Sequence, residues 1–146
     1  MPPPLTVLLP ITLNTPLLNL LYQACAQQNH KDYYIRVIDG ISGLAELLGE
    51  QTLPASMREK GTMTPIGDAE MTWIRTAVLC QFGGLWLDPA SICMKPFGQQ
   101  PKDKVVFFGT DLNESYAGSS GTVIPGHNAM WVPKPQHPMM VEWEAV

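Results

Sequence analysis

Arg75 and Asp88 are the two residues whose type and surroundings point most directly to chemistry. Arg75 lies in a run without proline or glycine from Glu70 to Phe82, and on a helical wheel it falls within the apolar arc. A buried guanidinium without a counter-charge is strongly unfavourable, so we expect Arg75 to face a protein carboxylate, or an anionic or polyhydroxyl ligand. Asp88 follows a short apolar run and precedes Pro89, which places a carboxylate at the end of a predicted strand.

A helix, a turn and a strand are predicted around these two residues. Apolar residues repeat at helical spacing between 69 and 82, as in a helix packed on a core. Gly83-Gly84 then ends the helix, because glycine adopts the left-handed cap conformation without a Cβ penalty. In the strand from Leu85 to Asp88, Trp86 and Asp88 share one face, with Asp88 at the carboxyl end. Ligands of open α/β sheets bind outside that end, so Asp88 is the leading site candidate.

The amino-terminal half predicts an α/β architecture. Leu5 to Ile11 is a continuous apolar run, as expected of a strand buried on both faces, and residues 16–28 repeat leucine at helical spacing. Tyr33 to Asp39 is rich in β-branched and aromatic residues and completes a βαβ unit. We therefore expect a three-layer domain with a mostly parallel sheet, whose strands include 6–10, 34–38 and 85–88 and whose helices include 16–28 and 69–82.

The other segments give weaker patterns. Residues 41–65 hold a short helical pattern at Leu44, Leu47 and Leu48 but are broken by glycine and proline, which predicts a variable surface excursion. Further expected elements are a strand at 104–108, a functional loop at 111–120, short strands at 122–125 and 128–132, and a helix from His137-Pro138 onwards. That last helix stops at Val146 without a cap, so we expect residues 1–146 to be a single domain that is incomplete at its carboxyl end.

Composition narrows the class of protein. The 146 residues are 45% hydrophobic, which is enough for a core, and the net charge is −4 with scattered lysine and arginine, which argues against a nucleic-acid partner. No apolar stretch is long enough for a transmembrane segment. Cys25, Cys80 and Cys93 are odd in number and lack metal-ligand spacing, so we expect reduced core thiols in a cytoplasmic protein.

The central segment also carries a family resemblance. The segment GGLWLDPASICMKPF begins at Gly83, eight positions after Arg75. Together they resemble the capsular polysaccharide synthesis proteins and related DXD-motif glycosyltransferases. That family has roughly Ser-Asp-x-x-Arg, a Gly-Gly pair, an aliphatic-aromatic-aliphatic triplet, then Asp-x-Asp or Asp-Ala-Thr, closed by Lys-Pro and an apolar residue. The match is dense from Gly67 to Phe97 and weaker towards both ends. The resemblance implies a Rossmann-like, nucleotide-diphospho-sugar transferase-like fold.

The resemblance also implies a function and a site. It points to a hexosyltransferase-type glycosyltransferase that moves a sugar from a nucleotide-sugar donor to a saccharide or other acceptor in polysaccharide or glycan synthesis. By position Arg75 matches the arginine that contacts the donor sugar, and Asp88 matches the first aspartate of the motif, which holds the donor and a divalent ion, Mn²⁺ or Mg²⁺. Donor-binding roles are also expected for Ser91, Trp86 and Asn128, and the metal is expected to depend on the donor.

Two departures keep other interpretations open. The family aspartate three residues before the arginine is Thr72 here, and the second aspartate of the motif is Ala90. The alternative is therefore a non-catalytic sugar-nucleotide-binding or interaction module that kept the scaffold and lost the chemistry. From spacing alone, Asp88 could instead cap the turn before Pro89, and Arg75 could pair with Asp68 or Glu70 on its own helix. Trp86 could likewise be a core residue.

Overall fold

A single open sheet forms the centre of the fold. The computed structural model describes residues 2–9, 16–59, 66–88, 93, 95–111 and 124–144. Within these ranges the strands are β1 (Pro4–Leu9), β2 (Tyr34–Asp39), β3 (Gly84–Leu87), β4 (Val106–Asp111) and β5 (Ile124–Val132). Their order across the sheet is β2-β1-β3-β5-β4. The prediction that the first three strands share one sheet is confirmed.

The sheet is mixed but mostly parallel. Strand β1 pairs in parallel with β2 on one side and with β3 on the other, so that Thr6 lies between Arg36 and Trp86. Strand β5 runs antiparallel to both β3 and β4. Four of the five described strands therefore point in the same direction, an arrangement compatible with a Rossmann-like fold.

Helices cover both faces of the sheet. Those of the described ranges are α1 (Pro16–Asn29), α2 (Gly40–Leu48), the short α3 (Ala55–Arg58), α4 (Asp68–Phe82) and α5 (Pro138–Glu144). Residues of α1 pack against one face, and residues of α2, α4 and α5 pack against the other, which confirms the three-layer prediction. None of these helices has the length and apolar character needed to span a bilayer.

Strand alternation divides the core between the two faces. Leu5 and Leu85 are fully buried on the α1 side, while Leu8 and Trp86 are fully buried on the α4 side. Both faces of β1 and β3 are thus covered, which explains why the first strand reads as a continuous apolar run rather than an alternating one. Ile74 of α4, which packs on that side, is also 0% exposed.

A glycine permits β1 and β3 to lie side by side at the start of the strands. Gly84 has φ +90°, and a Cβ atom there would collide with the carbonyl oxygen of Pro4. An L-residue with a side chain would therefore meet both backbone strain and a clash with β1 at this position. The Gly83-Gly84 pair, predicted as a helix end, is equally a requirement of strand packing.

Several predicted boundaries and connections need correction. Strand β5 is one nine-residue strand, where two short strands were expected at 122–125 and 128–132. Strand β4 begins at Val106 rather than at 104 and runs to Asp111, the residue expected to open a loop. Residues 112–120 of that predicted loop lie outside the described residues. The 41–65 segment is not only a surface excursion, because Leu53 and Met57 are 3% and 1% exposed and belong to the core.

The cysteine prediction was wrong for two of the three residues. Cys25 of α1 and Cys93, which follows β3 at some distance, form a disulfide with their Cα atoms 5.1 Å apart. Their 68-residue separation in sequence does not indicate this proximity, which arises because both cysteines belong to the apolar cluster on the α1 face of the sheet. Cys80 is buried and takes no part in a disulfide with the other two cysteines. A cytoplasmic location stays a prediction, and the disulfide removes the argument from three reduced thiols.

Candidate functional site

The strand order places a topological switch point between β1 and β3, which is the usual position of a ligand crevice in open α/β sheets. After β1 the chain passes through α1 to β2 on one side, whereas β3 lies on the other side of β1. The connections therefore leave β1 and β3 in opposite directions, and this is the switch point at which open α/β sheets bind ligands, outside the carboxyl ends of the strands. Asp88 is the residue directly after β3, so the chain places its carboxylate at this switch point.

Trp86 holds the Asp88 carboxylate. Its indole Nε1 donates a hydrogen bond to Oδ1 of Asp88 over 3.2 Å, which confirms that the two side chains share one face of the strand. Trp86 itself is 0% exposed and packs among the side chains between the sheet and α4, while Asp88 is half-buried. The indole therefore has no exposed surface for a ligand in this structure. It contributes to the site by its hydrogen bond to Asp88.

Arg75 is brought to the same carboxylate from α4. It is 5% exposed, in agreement with its place in the apolar arc of the helix. Burial lowers the pKa of Arg75 below its usual value, and the negative charge of Asp88 opposes that shift. Asp88 thus supplies a protein carboxylate for the buried guanidinium, one of the two options that the sequence left open. Pairing of Arg75 with Asp68 or Glu70 on its own helix stays a prediction.

Of the remaining predicted site residues, the structure places Asn128 but does not describe Ser91. Ala129 of β5 pairs with Leu87, so the preceding residue, Asn128, lies in the strand at the level of Asp88. Ser91 and Ala90 lie outside the described residues. Asn128 therefore shares an edge of the sheet with Asp88, whereas the structure does not test Ser91.

The Thr72 position lies one helical turn before Arg75. Its side chain is exposed, and its carbonyl oxygen accepts a hydrogen bond of 2.9 Å from the hydroxyl of Thr76. A threonine brings no charge to this turn, so the negative charge that the family pattern places here is absent from the helix surface. This leaves Asp88 as the carboxylate that acts on Arg75 from the strand side.

The described side chains do not by themselves fit a resident divalent ion. Mg²⁺ and Mn²⁺ take several oxygen ligands, and within the described ranges no three His, Cys, Asp or Glu side chains gather in a group that could hold a metal. One oxygen of Asp88 already accepts the Trp86 hydrogen bond, and the cation of Arg75 lies nearby. A metal at Asp88 would therefore need most of its ligands from outside the described side chains.

Sequence reasoning missed the residues that anchor the chain after the site. We call residues 93 and 95–98 the strap. The side-chain oxygen of Asn29 accepts a 2.9 Å hydrogen bond from the backbone N–H of Phe97. Tyr33 donates from its hydroxyl to the carbonyl oxygen of Gly98 over 2.6 Å, and Gln28 donates to the carbonyl oxygen of Cys93 over 2.7 Å. Together with the disulfide, these bonds fix the strap to the end of α1.

Asn29 carries a local signal in the sequence, but that signal does not extend to the strap. Asn29 is a polar residue that is only 1% exposed, and its amide also donates 2.8 Å to the carbonyl oxygen of Cys25. Asparagine at a helix end suggests a local cap, and that explanation accounts for the bond within α1. The bond to Phe97 spans 68 residues and has no local signature, so it could not be predicted.

Comparison of the sequence with protein-family models gave no match, and comparison with curated proteins gave no significant similarity.

Proposed function

We propose that the chain binds a nucleotide-sugar donor at the crevice beside Asp88 and acts as a glycosyltransferase. The observation that carries the proposal is the convergence of Arg75 from α4 and Asp88 from β3 at the switch point of the sheet. The resemblance of the Arg75 to Phe97 segment to DXD-motif glycosyltransferases supports the same assignment. The proposal covers the donor class and leaves the acceptor unnamed.

The two charged residues would perform different tasks on such a donor. A carboxylate accepts hydrogen bonds from ribose or sugar hydroxyls, and the Trp86 hydrogen bond fixes the direction in which Asp88 presents its oxygens. A guanidinium stabilises the negative charge of a diphosphate and contacts sugar hydroxyls. Because Arg75 is almost completely buried, a donor would meet the half-buried Asp88 first and reach Arg75 only at the base of the crevice.

The second candidate is a non-catalytic module that binds a sugar nucleotide or a partner. Thr72 and Ala90 stand where the family pattern carries aspartates, so two negative charges of that pattern are missing. An Arg75 side chain that is already buried beside Asp88 also suits a scaffold without turnover. The two candidates share the donor pocket and differ in metal-dependent transfer.

Calorimetric titration with a panel of uridine, guanosine and cytidine diphosphate sugars, with and without manganese, tests the proposal. We expect one donor to bind, and we expect Asp88→Asn to weaken that donor by roughly tenfold, the loss typical of a charge-assisted hydrogen bond. Asp39→Asn is the matched control, because Asp39 ends the neighbouring strand β2, is exposed and makes no side-chain cap on α2. Absence of binding by every donor, or equal losses in both variants, would overturn the assignment.

Metal titrations separate the enzyme from the module. Manganese should bind very weakly to the protein alone, since the described residues offer no resident site. Ala90→Asp restores the second carboxylate of the family pattern and should strengthen donor binding in manganese but not in its absence. Slow hydrolysis of the bound donor, measured by nucleoside diphosphate release, would favour the enzyme. Donor binding with no release, and no gain in Ala90→Asp, would favour the module.

A further inference from the structure

A cavity lies at the end of the strands opposite to Asp88. It has a volume of about 550 Å³ and lies where β1 and β3 begin, with Pro4 and Gly84 in its lining. Asp88 lies at the other end of β3, so this cavity is separate from the proposed donor site. Its volume falls within the range of small-molecule sites, roughly 300–1,000 Å³.

Prolines form much of the apolar part of its wall, beside polar side chains that include Gln99. Five prolines line it, and proline has no backbone N–H; they are Pro2, Pro3, Pro4, Pro133 and Pro135. The ring of Phe82 also lines the cavity, and the guanidinium of Arg36 lies 4.5 Å from its centroid. The polar atoms of the other two rings are already used, since Trp131 donates 2.7 Å to the carbonyl oxygen of Pro101 and Tyr33 donates to Gly98. The apolar part of the wall therefore suits the aromatic ring or aliphatic chain of a ligand.

The rim of the cavity carries free positive charge. Lys31 and Lys102 line the cavity, are exposed, and form no ion pair or hydrogen bond with the described part of the chain. Asp32 is the single carboxylate of the lining, so the cations outnumber it by two to one in a chain whose net charge is −4. Gln100 is committed by its amide donor to the carbonyl oxygen of Phe97 at 2.9 Å.

From this combination we infer a binding site for a small organic carboxylate with an apolar ring. The ring lies against the prolines and Phe82, and the carboxylate lies at the rim between Lys31 and Lys102. An amine of the same shape meets the two ammonium groups and is excluded. The inference does not depend on the proposed glycosyltransferase activity, because it uses no residue of the Asp88 crevice.

Titration with sodium benzoate, followed by the indole N–H signal of Trp131 in nuclear magnetic resonance spectra, tests the inference. A nine-atom ligand in such a site should bind with a dissociation constant on the order of 1 mM. Lys31→Ala and Lys102→Ala should each weaken benzoate roughly threefold, and the double variant about tenfold, with exposed lysines contributing the amounts usual for partly solvated charges. Both residues are exposed, so the variants should fold.

The controls distinguish this site from general charge effects and from the donor site. Lys95→Ala removes an exposed lysine that does not line the cavity and should bind benzoate like the unaltered protein. Asp88→Asn should also leave benzoate binding unchanged. Benzylamine, with the same ring and the opposite charge, should not shift the Trp131 signal. The inference is overturned if benzylamine binds as tightly as benzoate, if the double lysine variant keeps full affinity, or if benzoate at tens of millimolar causes no shift.

Discussion

Two opposing electrostatic effects act on the charged form of Arg75. Burial of the guanidinium removes it from water and disfavours its charged form, while the nearby carboxylate of Asp88 stabilises that charge. A buried ion pair of this kind adds little net stability compared with an apolar residue of similar volume. If Arg75 serves the proposed donor site, its removal should affect ligand binding more than folding.

Replacement of Arg75 by methionine tests this expectation. Methionine fills most of the volume of the arginine stem, and the half-buried Asp88 can hydrate and keep its hydrogen bond from Trp86. We expect the free energy of unfolding of Arg75→Met, measured by urea denaturation, to change by less than about 1 kcal/mol or to rise. Donor binding should fall. A loss of more than about 3 kcal/mol with donor binding intact would assign Arg75 to a structural ion pair.

The raised pKa of Tyr33 predicts that the free energy of unfolding decreases at alkaline pH. Burial, followed by the charge of Asp32, raises the pKa of its phenol to about 12, from 10.0 in the unfolded chain. The folded state thus holds the proton more tightly, so this contribution is intact below pH 10 and is lost as the pH rises towards 12. Tyr33→Phe should be less stable at neutral pH by about 1 kcal/mol, since the bond to Gly98 is gone.

The pH profile of that variant is the decisive measurement. Between pH 10 and 12 the free energy of unfolding of Tyr33→Phe should fall less steeply than that of the unaltered protein, because a phenylalanine has no proton to lose. Tyr34→Phe is the matched control, since the neighbouring Tyr34 is 57% exposed. Equal slopes for Tyr33→Phe and the unaltered protein would contradict the burial of an intact phenol.

At the scale of elements, the chain between β2 and α4 contributes to the core. Residues Leu53 and Met57 follow α2 and pack in the same cluster as Ile74 and Val78 of α4. The glycines and prolines of this segment predict turns correctly, but they do not reveal which apolar residues between the turns face inwards. The segment therefore closes one side of the layer formed by α2, α4 and α5.

Met57→Ala should destabilise the protein by about 2–5 kcal/mol, as for other large-to-small changes at buried sites. Met57 is 1% exposed, so truncation leaves a cavity in the core. Met139→Ala is the matched control, because Met139 in α5 is 39% exposed, and its effect should stay within about 0.5 kcal/mol. The comparison is made by thermal and urea denaturation. Similar small effects for both methionines would return this segment to the surface.

Local patterns predicted most of the elements near the site. The helical spacing of apolar residues between 69 and 82, the Gly83-Gly84 turn and the strand ending at Asp88 all hold within a few residues. The parallel pairing of the first three strands followed from the right-handed βαβ rule. Burial of Arg75 also followed, because its wheel position is a local property.

Contacts between distant segments could not be predicted. The placement of β5 between β3 and β4 reverses the order of the two strands along the chain, and no local pattern encodes it. The same holds for the bonds from Asn29 and Tyr33 to the strap and for the cavity at the start of β1, whose lining comes from several separate segments. Such features depend on packing of the whole chain.

For the molecule as a whole, the disulfide is a covalent link between α1 and the strap. Cys25 lies in α1, and Cys93 begins the strap that follows the Asp88 segment. The strap is also held by three hydrogen bonds from residues 28, 29 and 33. Both cysteines are buried, at 0% and 9% exposure, so the bond lies within the core on the α1 face.

The double variant Cys25→Ala, Cys93→Ala should be less stable by about 4 kcal/mol, the chain-entropy value for a loop of this length. The bond closes a separation of 68 residues, so its loss frees the unfolded chain while the hydrogen bonds of the strap remain in the folded state. Thermal denaturation of the oxidised and reduced proteins measures the effect. A reducing agent should lower the midpoint of the unaltered protein and leave that of the double variant unchanged, because Cys80 alone cannot form an internal bond. Equal stability of the oxidised and reduced proteins would contradict a stabilising disulfide.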